Sequence, residues 1–102
     1  MRPQEQIEVA EFEVTEDMPR YPIKATKITF FNLGDIPVYV GLIPVMPGDV
    51  YQVNYEHPHI INRNFGLRFD TSATPVSSTI RDEFGLVQGS YLVIQTMTPH
   101  AL

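Results

Sequence analysis

Ile28-Thr29-Phe30-Phe31-Asn32-Leu33-Gly34-Asp35-Ile36-Pro37-Val38-Tyr39-Val40-Gly41-Leu42-Ile43-Pro44-Val45-Met46-Pro47-Gly48-Asp49-Val50-Tyr51-Gln52-Val53-Asn54-Tyr55 consists of apolar bursts cut by two clusters of breaking residues. Asn32 to Asp35 supplies a local side-chain hydrogen bonder and a glycine, the composition of a turn. Residues 36–41 then read as a strand, with Pro37 confined to its start or to an edge because it lacks an N–H. Pro47-Gly48 stands as the central pair of a type II turn. Beyond it Val50, Gln52 and Asn54 alternate with Tyr51, Val53 and Tyr55, as in a half-buried strand. The segment predicts three strands joined by short turns, a β-meander.

Upstream, residues 23–31 form a further strand pattern with a bend near Lys27, preceded by a turn-like run over residues 17–22. Ile7 to Val14 alternates apolar and acidic residues, and its phase slips between Val9 and Phe12, as a β-bulge would make it do. Downstream, Ile60-Ile61 reads as a short strand or buried loop and residues 66–70 as another short strand. Residues 71–79 read as an exposed Ser/Thr-rich loop, and residues 80–84 as the one helical turn. Ser90 to Met97 is the most continuous apolar run, the mark of a strand in the middle of its sheet.

Nine prolines and six glycines leave few windows for a helix. About six to seven strands with turn signals every eight to twelve residues predict an all-β fold, an antiparallel β-sandwich, with a small β-barrel as the alternative. The chain has 102 residues, enough for one domain. Residues 1–17 are assigned to an acidic N-terminal arm or edge strand and residues 18–102 to a single sandwich domain.

Of the net charge of −5, residues 1–17 carry six acids against one base, while six acids and six bases balance in the rest. That distribution has no basic footprint for direct nucleic-acid binding. No run approaches the ~18 apolar residues of a membrane helix, and the start lacks the organisation of a secretory signal, so neither a membrane role nor secretion by its own signal is expected. Cysteine is absent, which removes disulfides, thiolate catalysis and Cys-based zinc sites.

The candidate chemistries are sparse. His57-Pro58-His59, with Glu56, Asp70 or His100, is the one grouping suited to a metal, as in a small cupin-like enzyme. It lacks third and fourth ligands at recognisable spacing, so no metal or other cofactor is expected. No serine has a nucleophile-elbow frame, the glycines never form a phosphate-binding loop, and Asp82-Glu83 reads as a hydrated pair. The protein is expected not to be an enzyme. An outward cluster of Tyr39, Tyr51 and Tyr55 would suit carbohydrate, which makes a carbohydrate-binding β-sandwich module the alternative function.

Three segments remain as partner-binding candidates: the arm of residues 1–17, the loop of residues 71–79 and the tail of residues 98–102. Glu8, Glu11 and Glu13 on the first strand are either the protective charge of an edge or one acidic face of an arm that adds to a neighbour's sheet. Thr71, Ser72, Thr74, Ser77 and Ser78 lie in the exposed loop.

Residues 28–41 and 43–51 resemble a pattern in small β-sandwich accessory proteins of bacteriophage virions: a strand ending in Asn-x-Gly, a Val-Tyr-Val strand, and a Pro-Gly-acid turn opening the next strand. The likeness covers roughly a quarter of the chain and is a turn-and-strand pattern without a catalytic signature. It implies a capsid decoration or a head-to-tail or tail component, made in the host cytoplasm and built into the virion. Such a protein would act in many copies, as a homo-oligomer or within a larger assembly, and bind protein subunits of the same particle.

Overall fold

A computed structural model of the chain describes residues 5–54 and 60–101. Its elements are β1 (Glu5–Val14), β2 (Met18–Ala25), β3 (Lys27–Asn32), β4 (Val38–Val40), β5 (Ile43–Val45), β6 (Val50–Asn54), β7 (Ile61–Phe69), the helix α1 (Ser78–Phe84) and β8 (Leu92–Ala101). They form two four-stranded antiparallel sheets, β1-β8-β3-β6 and β2-β7-β4-β5, packed as a sandwich and not closed into a barrel. Ile28, Phe30, Leu92 and Ile94 from the first sheet meet Ile23, Val38, Phe65 and Leu67 from the second, all buried. The Phe30 and Phe65 rings join the sheets at 5.4 Å between centroids, and Tyr51 stacks on Phe30 at 6.0 Å.

Residues 23–31 are not one strand. The buried apolar positions are Ile23 and Ala25, then Ile28 and Phe30, and this change of parity marks a change of sheet. Ala25 pairs with Ile61 in the second sheet, and Lys27 pairs with Met97 and Asn54 in the first. The run before it, expected as a turn, begins β2, which carries a bulge between Met18 and Tyr21 where Asp17 Oδ1 accepts the Phe69 N–H at 2.8 Å.

The expected meander is replaced by a double crossing. From β3 the chain passes to the second sheet, makes the β4–β5 hairpin, and returns so that β6 lies beside β3, with Phe30 opposite Tyr51. Pro44 sits in the edge strand β5, where a missing N–H is tolerated. Pro47 and Gly48 form the expected turn, with Gly48 at φ 84° and the Asp49 N–H donating to Met46 O at 2.9 Å.

The crossing at Asn32 to Asp35 is a hub as well as a turn. Asn32 is fully buried. Its Nδ2 donates to the carbonyls of Ile36 (2.9 Å) and Val45 (2.8 Å), and its Oδ1 accepts the Gly34 N–H at 3.1 Å. Asp35, also buried, accepts the Gly89 N–H on Oδ1 at 2.9 Å and faces Arg81 of α1 at 3.5 Å through Oδ2. The second half departs from expectation mainly in β7, one nine-residue strand where a short strand or buried loop at Ile60-Ile61 and a separate short strand at residues 66–70 were expected.

Candidate functional site

β1 is an edge strand, and its ladder with β8 runs without interruption from Glu5 opposite Ala101 to Val14 opposite Leu92. The expected bulge is absent. The slip in the sequence pattern instead reflects two environments along one straight strand. Glu8, Ala10, Phe12 and Val14 share the inner face, while Ile7, Val9, Glu11 and Glu13 share the outer one. Near the body the inner face is apolar, with Val14 buried. Further out the strand leaves the sandwich and the apolar residues move to the outer face, where Ile7 and Val9 are 58% and 54% exposed.

The ribbon geometry follows from the pairings. β3 accompanies β8 only as far as Met97, so residues 98–101 of β8 pair with residues 5–8 of β1 alone. Four residue pairs extend the ribbon about 13 Å beyond the β3 ladder, which suits the 55 Å long axis of a body 28 by 18 Å across.

Beneath β1 the edges of the two sheets leave a cleft. Its inner part, about 130 Å³, is lined by Phe12, Tyr21, Pro22, Ile23, Lys24 and Thr96. An outer part of about 370 Å³ keeps Phe12, Lys24 and Thr96 and adds Glu8, Ala10 and Thr98. Phe12, 42% exposed, meets Tyr21 edge-on at 6.5 Å between centroids, and partial burial raises the Tyr21 phenol above its ordinary pKa. Glu13 accepts the Tyr91 hydroxyl at 2.8 Å, and that bond raises the Tyr91 pKa. The site offers edge backbone unpaired among the described residues, a cleft walled by Phe12 and Tyr21, and carboxylates, which is binding chemistry.

The sequence-predicted residues therefore separate. Glu8 faces the cleft while Glu11 and Glu13 face outward, so the strand has no single acidic face. The loop residues do not join them: the loop is tied to the Leu92 end of the ladder through the Val76 N–H and Asp35 O, whereas Glu8 stands opposite Thr98. Ser72 donates its hydroxyl (2.6 Å) and its N–H (3.2 Å) to Asp70 Oδ1, and the hydroxyl bond above all lowers the Asp70 pKa. Ser77 caps α1 by accepting the Ile80 N–H at 3.2 Å, and Ser78 is the first helical residue. Thr71 and Thr74 are exposed.

Tyr39 and Tyr51 do not cluster. Tyr51 packs on the core from the first sheet, and Tyr39 lies in the second sheet beneath the Arg68 guanidinium, 4.5 Å from its ring centroid. Tyr55, Glu56, His57 and His59 lie outside the described residues, among which no three of His, Asp and Glu gather as a metal-binding group. No described helix is long and apolar enough to cross a membrane. Sequence reasoning missed the cleft residues Tyr21 and Lys24, which meet Phe12 only through the packing of two sheets, and Thr96, which comes beside it only through the pairing of β1 with β8. Compared with protein-family models, curated proteins and solved structures, the chain matches none.

Proposed function

We propose that this protein is a non-enzymatic assembly component of a bacteriophage particle, a capsid decoration or a head-to-tail or tail component, that binds neighbouring subunits through β1 and its loops. The observation that carries the binding role is the β1–β8 ribbon, which projects past the β3 ladder and presents an open strand edge with Ile7 and Val9 exposed. Soluble monomers seldom leave a long edge and exposed aliphatic side chains together, since the pair invites strand addition. The phage setting is supported by the turn-and-strand likeness in residues 28–41 and 43–51. In this reading the protein is made in the host cytoplasm and ends in the virion.

Light scattering of the purified protein, alone and mixed with capsid or tail subunits encoded beside it, tests the proposal. A defined complex with one of those subunits is expected. A protein that stays monomeric and binds none of them would remove the assembly role.

A further inference from the structure

β1 is ten residues long, contains no proline and pairs with β8 without a register shift, so it lacks the backbone devices that usually blunt an edge. Alternate N–H and C=O groups along it point away from β8 and form a regular template for one more strand. Among the described residues only charge guards this edge, and charge also selects. A second copy of β1 would bring its own Glu8, Glu11 and Glu13 to the same seam, where like charges in neighbouring positions repel. A basic strand gains where an acidic one loses.

The cleft supplies the second half of the recognition. A strand added outside β1 directs every other side chain toward the gap between the sheet edges, where Phe12 and Tyr21 form an apolar wall beside Lys24. Strand addition elsewhere works this way, with backbone bonds for affinity and pockets for alternate side chains. Resting on the assembly reading above, we infer that β1 accepts an extended basic segment of a neighbouring subunit as an added strand. An apolar side chain of that segment enters the cleft at Phe12 and Tyr21, and Lys or Arg residues stand across from Glu11 and Glu13.

The probe is a labelled peptide of about ten residues, matched to β1, alternating Val and Lys. It is compared with a Val/Glu peptide and with a Val/Lys peptide N-methylated on alternate amides. The Val/Lys peptide is expected to bind, with amide shift changes centred on β1, and N-methylation to weaken it at least tenfold, about what losing several backbone bonds implies. The double variant Glu11→Lys, Glu13→Lys, at exposed positions, is expected to exchange preference for the Val/Glu peptide. Undiminished binding of the N-methylated peptide would reduce the effect to charge attraction and overturn the inference, as would shifts centred on α1 or β6. Self-association through β1 that excludes the peptide would make a second copy the occupant and overturn it too. A complex with a neighbouring subunit that survives the charge-reversal variant unchanged would end this inference and leave the assembly reading standing.

Discussion

Asn32 Nδ2 donates to the carbonyl oxygen of Val45 at 2.8 Å, so the last residue of β3 in one sheet is tied to the last residue of β5 in the other. With its second bond to Ile36 O and the Gly34 N–H on its Oδ1, one buried side chain fixes the place where the chain leaves the first sheet and holds the strand that precedes its return. Asn32→Ala leaves two buried carbonyls and one N–H short of a partner, and a loss of about 3 to 5 kcal/mol is expected from unsatisfied groups of this kind. Urea unfolding reads it. A loss below about 1 kcal/mol, the value of one ordinary bond, would mean that water replaces the amide there.

Gly34 is needed for space, and Gly85 for its backbone angle. A Cβ on Gly34 collides with the Gly89 carbonyl and comes 2.8 Å from the Tyr91 nitrogen, both backbone atoms that cannot swing aside. Gly85 ends α1 at φ 66° with open space around its missing Cβ. Gly85→Ala is expected to cost about 1 to 2 kcal/mol, the left-handed penalty. Gly34→Ala is expected to cost at least about 4 kcal/mol or to prevent folding. Expression yield and denaturation midpoints of the two variants compare them, and equal costs would contradict the packing at Gly89.

Ser77 separates a cap from a binding residue. Ser77→Ala removes the acceptor for the Ile80 N–H and is expected to cost about 1 kcal/mol, with faster amide exchange confined to α1. Ser77→Asp, another good cap, is expected to restore both. Any change in complex formation should follow that stability and not the hydroxyl itself.

Tyr91 predicts an alkaline loss of stability. Its hydrogen bond to Glu13 raises its pKa above the ordinary 10.0, and burial raises that of Tyr21. Because the folded pKa values exceed the unfolded ones, both contributions are intact below pH 10 and decline as the pH rises through and past it. Ultraviolet titration should show Tyr91 and Tyr21 ionising above pH 10. Glu13→Gln should bring Tyr91 forward and leave Tyr21 in place.

The fold class was legible because it depends on local alternation. Even the change of sheet at Thr26 was written in the sequence, as the shift from Ile23 and Ala25 to Ile28 and Phe30. Topology was not legible: a strand ending in Asn32-Leu33-Gly34-Asp35 has the same turn chemistry whether its successor pairs beside it or crosses to the opposite sheet. What decides the crossing is the burial of Asn32 among carbonyls from Ile36 and Val45, and the second of those is thirteen residues away. On β1 the glutamates were visible, but their division between faces was obscured. Phe12 and Val14 follow the core's period, whereas Ile7, out on the ribbon, and Val9, at the last pair that β3 flanks, do not.

α1 buries none of its own side chains, so its attachment rests on few groups. Chief among them is Arg81, 26% exposed in its side chain, facing an Asp35 carboxylate that is 3% exposed. Removing the guanidinium leaves that carboxylate buried with the Gly89 N–H as its remaining side-chain bond among the described residues. Arg81→Met is therefore expected to cost about 2 kcal/mol, below the figure for a fully buried pair because Arg81 is partly in water. Asp35→Asn keeps an oxygen for Gly89 and removes the charge, so Arg81→Met in that background is expected to cost at least about 1 kcal/mol less. Denaturation of the four proteins in this cycle measures the difference. Strictly additive losses would show that Arg81 acts through packing of its stem alone. Coupling accompanied by faster exchange of the α1 amides in Arg81→Met would show that the Asp35 charge is what holds the helix against the end of the sandwich.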